Sequence, residues 1–185
     1  MEYLNKGKRG VVYLAEEHGK NVVVKKERPG SQALRALHNE AYWIQALNKH
    51  KIGPRFYRFE DSMLVMEYIE GVPFVAWYPD QPKKNVHRAL KDIFQQCRQM
   101  DLLKVNKFEM HYPVKHILMR KGKPVIIDFE RCKRTLTPKN VTQFAQFLLT
   151  LQFPVDREAL KRLLQDYKKT YREETFMKIV QLFVS

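Results

Sequence analysis

The stretch PVIIDFERC, residues 124–132, runs a β-branched apolar segment straight into Asp128, Glu130 and Arg131. An isolated carboxylate at the end of a buried strand is costly unless a backbone amide, a basic partner or a metal ion compensates it. Other residues of the chain bear on which of these applies. VVVK ends in Lys25 on a strand-like run, and fifteen residues later Glu40 lies beside the apolar face of a helix-like segment. A glutamate so placed can pair with Lys25 and aim its ammonium at phosphates. Taken singly, the lysine reads equally as solvated and the glutamate as a helix-surface acid. GKRGVVYLA sets Gly7 and Gly10 at a turn ahead of a strand. Their missing side chains let backbone amides approach a phosphate, although an ordinary hairpin turn has the same pattern. LVMEYIEG is an apolar strand leading into a short connector, whose backbone at Glu67 and Ile69 can hydrogen-bond a flat heterocycle with Met66 packed behind it. The chemistry in view is the binding of a phosphate-bearing nucleotide.

Those residues need an antiparallel sheet with one helix, followed by helices with an inserted hairpin. GVVYLAEE and NVVVKKE predict strands around the turn EHGKN, and RPGS, ending in Ser31 as N-cap, breaks the chain before a helix. Leu34, Leu37, Ala41, Ile44 and Leu47 recur at spacings of three and four, the signature of an amphipathic helix. Residues 52–74 predict two more strands, closed by Gly71 and Pro73. From Lys84 the pattern turns helical, with Val86, Leu90, Ile93 and Cys97 on one face. NKFEMHYPVK reads as a loop and HILMRKGKPVIID as a hairpin turning at Gly122. Thr137 and Pro138 form an N-cap and first-turn pair, Asp156 caps a further helix, and the chain closes in a basic amphipathic helix. The expectation is α+β in two lobes: a sheet lobe of residues 1–71 and a reduced, mainly helical lobe of residues 72–185.

The chain carries 34 Lys+Arg against 20 Asp+Glu, a formal charge of +14. That balance suits acidic or phosphate-bearing partners, RNA among them, but the basic residues are spread along the chain and fit a solvated surface as well. No apolar run is long enough for a membrane span, and MEYLNKGKRG lacks the apolar core of a signal peptide. Cys97 and Cys132 have no metal-binding spacing. The expectation is a cytoplasmic protein with reduced thiols and no zinc site.

Taken in order, Gly7–Gly10, Lys25, Glu40, the Met66–Ile69 connector and Asp128 resemble the protein-kinase-like superfamily. Within it the chain is similar to the small atypical branch of RIO kinases, the kinase of the KEOPS tRNA-modification complex and lipopolysaccharide sugar kinases. It resembles in particular the compact archaeal-type predicted Ser/Thr protein kinases, which share a KH-I-x-x … IIDFE pattern. The resemblance covers roughly residues 3–150, and KHILMRKGKPVIIDFER is its most specific piece. It implies a two-lobed kinase-like fold with an antiparallel-sheet N-lobe, and an ATP-dependent phosphotransferase that uses Mg²⁺, or Mn²⁺ in its place. It also implies roles for single residues. The backbone around Gly7 and Gly10 would cover the ATP phosphates, and Lys25, held by Glu40, would contact the α- and β-phosphates. Glu67 and Ile69 would bind adenine through main-chain atoms, and Asp128 would ligate Mg²⁺.

Three departures from the family pattern bear on catalysis. The family's catalytic loop has an Asp five residues before an Asn; here His116 stands at the Asn position and His111 five residues before it, with no Asp in the loop. Glu109, seven residues before His116, is the carboxylate of this loop and the first candidate for proton acceptor or substrate-orienting group. His111 is the second candidate, since a neutral imidazole also accepts a proton, and a loop glutamate without a role stays open. His116 is a poor Mg²⁺ ligand. That leaves a single metal, tolerance of Mn²⁺, or an orienting role for the histidine. Glu130, two residues past Asp128 and on the same side of an extended chain, can supply the missing oxygen. Lys115 reaches the γ-phosphate as a point charge or stays solvated. Finally, little chain follows Glu130 before the next helix, so the long segment on which peptide substrates dock is missing. Arg131, Lys133, Arg134 and Lys139 present either a basic rim for an acidic or phosphorylated protein or RNA, or a solvated loop.

The leading expectation is an atypical Ser/Thr protein kinase acting on a hydroxyl acceptor. A non-catalytic, nucleotide-binding kinase-like scaffold for RNA or protein also fits, favoured by the loss of the loop Asp and Asn. A small-molecule kinase fits too, since the short C-terminal region permits it.

Overall fold

The computed structural model describes residues 2–6, 10–27 and 34–185. Gly7 and the RPGS break with its Ser31 lie outside the described residues; Gly10 opens a strand. The chain is α+β and divides into two compact units: Met1–Glu70 with Val125–Cys132, and Gly71–Pro124 with Lys133–Ser185. Among the described residues, no helix is long and apolar enough to cross a membrane.

The first unit is a five-stranded antiparallel sheet with one helix. Its strands are β1 (Glu2–Lys6), β2 (Gly10–Glu17), β3 (Lys20–Glu27), β4 (Phe56–Glu60) and β5 (Met63–Glu67), in the order β1-β2-β3-β5-β4. The strand β1 is an element the sequence pattern did not announce. Helix α1 (Leu34–Asn48) follows β3. The β2–β3 hairpin turns at His18 and Gly19, both with positive φ (51° and 70°), the backbone twist that two-residue hairpin turns favour. One sheet face buries Val22, Val24 and Val65 against Tyr13, Ala15 and Met63. Because side chains alternate along a strand, Lys25 stands on the opposite face, level with Leu64 of β5. On α1 the residues at helical spacing, Leu37, Ala41, Ile44 and Leu47, are all buried. Asn48 then shapes the exit of the helix. Its amide donates to the carbonyls of Ile52 (3.0 Å) and Pro54 (2.9 Å), and its oxygen accepts from Phe56 N–H (2.7 Å).

The second unit begins with β6 (Val72–Pro73), the one-turn helix α2 (Phe74–Trp77) and the long helix α3 (Lys83–Leu102). Val86, Leu90, Ile93 and Cys97 form the buried stripe of α3. The segment expected as plain loop holds a strand and a turn instead: β7 (Val105–Lys107), then a 3-10 turn at Phe108–His111. Val105, Asn106 and Lys107 are all buried there because their polar groups find partners inside the unit. The hairpin of β8 (Ile117–Arg120) and β9 (Lys123–Ile126) turns at Lys121 and Gly122, with β6 antiparallel to β8. After β10 (Cys132–Arg134) come α4 (Asn140–Thr150), α5 (Arg157–Thr170) and α6 (Glu173–Val184). Phe94 of α3 meets Phe144 of α4 and Phe183 of α6 at ring distances of 5.0 and 5.4 Å, the aromatic centre of this core.

Two expectations about helix ends need correction. Thr137 and Pro138 do not open α4; the helix starts at Asn140, and its first amides are capped by a distant acid, Asp101 of α3. The basic amphipathic helix is α5, whereas the last helix, α6, opens on Glu173 and Glu174. Asp156 does cap α5, accepting from Glu158 N–H (3.0 Å) and Ala159 N–H (2.9 Å).

The division at residues 71 and 72 also needs one change. Residues 125–132 belong with the first unit rather than with the hairpin they complete, for reasons visible around Asp128.

Candidate functional site

Lys25, Glu40 and Asp128 converge within the first unit. The Lys25 ammonium lies 2.7 and 2.8 Å from the two carboxylate oxygens of Glu40, and 3.7 Å from Asp128 Oδ1. Glu40 is buried, at 2% side-chain exposure, so it is not a helix-surface acid; Lys25 is only 19% exposed and is not a solvated one. Burial alone would lower the pKa of the Lys25 ammonium, but Glu40, Asp128 and Glu130 outweigh it and hold the pKa above its ordinary value. Burial pushes the Glu40 carboxyl up, against the pull of Lys25. One ammonium therefore faces three acids.

Asp128 is held there by its neighbours. Its φ of 65° lies in the left-handed region, where a non-glycine residue is uncommon and stores strain. Phe129 is fully buried and packs so tightly on Gly53 that a Cβ at residue 53 would come within 2.8 Å of the ring. Gly53 itself has φ 84°, a second reason for glycine there. Asn39, next to Glu40 on α1, donates one amide to the carbonyls of Glu130 and Cys132, both at 2.9 Å. The Cys132 N–H closes a turn onto the Phe129 carbonyl at 3.0 Å. These bonds explain why residues 125–132 belong to the first unit. Successive residues of α1 thus serve one end each: Glu40 fixes the lysine, and Asn39 fixes the chain just past the aspartate. Sequence reasoning missed Asn39, Gly53 and Phe129. The apolar Phe129 between two acids and the Gly53-Pro54 pair after a helix were the signals available.

Around the connector, Met66 is buried and opposes Val23 and Phe56 in the sheet. Ile69 is buried as well. The Glu67 N–H donates to the Arg55 carbonyl (2.8 Å), and the Glu67 carboxylate accepts from Arg55 N–H (3.1 Å). The Glu67 N–H is therefore engaged by neighbouring backbone.

The remaining candidates belong to the second unit. Glu109 is mostly buried and accepts from the Lys107 ammonium at 3.0 Å, and Lys107 is entirely enclosed. The Lys107 backbone N–H donates to Asn140 Oδ1 (2.9 Å), and the Asn140 amide donates to Asp101 and to the Val105 carbonyl, each at 2.7 Å. Asp101 also accepts from Tyr167 O–H at 3.2 Å. Burial pushes the Asp101 carboxyl up to about 6, against the hydrogen bonds from Asn140, Val141 and Tyr167. His111 is exposed, with Nδ1 2.7 Å from the Phe108 carbonyl. Lys115 is exposed and His116 half-buried, its N–H on the Pro113 carbonyl. Lys107, Asn140 and Asp101 escaped sequence reasoning, since a lysine or asparagine in a polar-looking segment carries no local sign of burial.

Among the described residues, no group of three or more His, Cys, Asp and Glu side chains could hold a metal ion. Asp128 and Glu130 fit a Mg²⁺ ion that takes its other ligands from phosphates and water, because such sites commonly use one or two carboxylates only. Both carboxylates lie close enough to Lys25 to act on its ammonium. No known protein-family model matches the chain, and no curated protein is found related to it.

Proposed function

We propose that the chain is an ATP-dependent phosphotransferase of the protein-kinase-like type, an atypical Ser/Thr kinase acting on a hydroxyl acceptor. In this reading the first unit is the nucleotide-holding lobe and the second a reduced lobe carrying the acceptor-side groups. The observation that supports it is the meeting of Lys25 with Glu40 at 2.7 Å and with Asp128 at 3.7 Å. A lysine from a strand, an acid from a helix and an acid after a hairpin serve no packing purpose together, and perturbed charges concentrate at functional sites.

Lys25 holds the α- and β-phosphates, with Glu40 fixing its direction. Asp128 and Glu130 would hold Mg²⁺, which when bound neutralises phosphate charge. Glu109 accepts the proton of the acceptor hydroxyl. The acceptor oxygen bonds to the γ-phosphorus while the bond to the departing ADP breaks. The formal charge of +14 suits an acidic or phosphorylated protein, or RNA, as the acceptor's carrier.

Isothermal titration with ATP and Mg²⁺ or Mn²⁺, together with a phosphoryl-transfer assay, tests this. Lys25→Ala and Asp128→Ala are each expected to abolish metal-dependent nucleotide binding and transfer. Unchanged behaviour in both variants sinks the reading. Metal-dependent binding with no transfer in the wild-type chain selects the scaffold instead.

A further inference from the structure

The proposed function leaves a buried cation unused. Lys107 is wholly enclosed, and lysine is among the residues least often buried without a paired charge. Its ammonium lies 3.0 Å from Glu109 Oε2. The backbone that carries it is fixed independently: Asn140 accepts the Lys107 N–H, Asp101 accepts from Asn140, and Asn106 accepts the Lys139 N–H at 2.8 Å. Helix α4, which packs on the 3-10 turn bearing Glu109, has no ionisable side chain along its length. His111, in the same turn, lies 2.7 Å from the Phe108 carbonyl, and Asp101 is bonded to the start of α4. The polar chain from Asp101 through Asn140 and Lys107 is buried and ends on Glu109, the member that retains some contact with solvent.

A purely structural place of this kind is filled as well or better by an apolar side chain, because desolvating an ion pair offsets most of its attraction. Resting on the proposed function, we infer that Lys107 is the positioning residue for Glu109. Its ammonium, 3.0 Å from Oε2, sets the direction of the Glu109 carboxylate that takes the proton of the acceptor hydroxyl. The loop thereby replaces the missing aspartate with a two-residue device, a glutamate and the cation beneath it.

The test measures kcat, KM and nucleotide affinity in Lys107→Met and Lys107→Arg. Lys107→Met is expected to lower kcat by about a hundredfold, the lower end of what a proton acceptor contributes. KM and ATP affinity should stay within about threefold of wild type, because the nucleotide groups lie in the other unit. Lys107→Arg, which restores the charge, should recover at least about tenfold of the loss. If the methionine variant does not fold, Lys107→Gln is measured in its place with the same expected split between kcat and KM. Unchanged kcat, or KM and kcat falling together with no rescue by arginine, overturns the inference while leaving the phosphotransferase reading standing. A wild-type chain without transfer removes both, and the wild-type control alone tells the two failures apart.

Discussion

Lys25 and Lys107 each pair with a glutamate, and their surroundings differ in a way that separates two uses of a buried charge. Lys107 is fully enclosed and lies 3.0 Å from Glu109. Lys25 keeps 19% exposure and faces Glu40, Asp128 and Glu130 together. The Lys107 pair sits on a backbone fixed by Asn140 and Asp101. The Lys25 cluster includes a residue, Asp128, with φ 65°. A dry pair contributes to the fold only while both members are present. Asp128, at 31% exposure the wetter edge of the Lys25 cluster, can hold charge that a ligand would complete, so its removal should cost the fold little.

The largest expected effect lies at the Lys107 pair. Glu109→Met leaves the Lys107 ammonium buried without this partner, and breaking such a pair costs roughly 3–5 kcal/mol. Denaturant unfolding followed by circular dichroism measures it. A loss below about 1 kcal/mol would show that Lys107 is satisfied by other groups.

Next comes the acid behind that pair. Asp101 has its carboxyl raised to about 6, so the folded chain keeps a proton that the unfolded chain releases near pH 4. Its contribution to stability is full below about pH 4 and is lost as pH rises through about 6, a span worth roughly 3 kcal/mol. Unfolding free energies at pH 4 and pH 7, for wild type and Asp101→Asn, isolate the effect as a difference between the two slopes. Parallel slopes would place Asp101 in a wetter site than its hydrogen bonds indicate.

The same contrast governs how much could be read without coordinates. Strands β2 to β5, helices α1 and α3 and the β8–β9 hairpin were legible because each buries a stripe with its own period. Lys25, Glu40 and Asp128 were legible as residue types that are costly at such positions unless compensated. The supports were not legible. Asn39 acts on carbonyls more than ninety residues away, and Asp101 caps a helix from 39 positions upstream, so nothing local marks either. The cap of α4 was misassigned to Thr137 for that reason: the local rule found a suitable residue, and a tertiary acceptor took its place. Lys107 was passed over because its burial comes from α4 and the adjoining network.

The smallest expected effect on the fold, and the most discriminating, is at Asp128. Asp128→Asn removes one of three acids around one ammonium, relieving repulsion with Glu40 while giving up an attraction to Lys25 at 3.7 Å. Asparagine also tolerates the left-handed backbone that Asp128 adopts. The two electrostatic changes oppose each other, so stability should change by no more than about 0.5 kcal/mol, or rise by up to about 1 kcal/mol, as happens where a site holds charge for a ligand rather than for the fold. Thermal unfolding without nucleotide measures the fold, and the same scan with ATP and Mg²⁺ measures the site. The wild-type midpoint should rise with ligand, and the variant's should not. If Asp128→Asn destabilises the free chain as much as Glu109→Met does, then the acids around Lys25 serve the fold rather than a ligand. The acids around Lys25 would then no longer mark a ligand site.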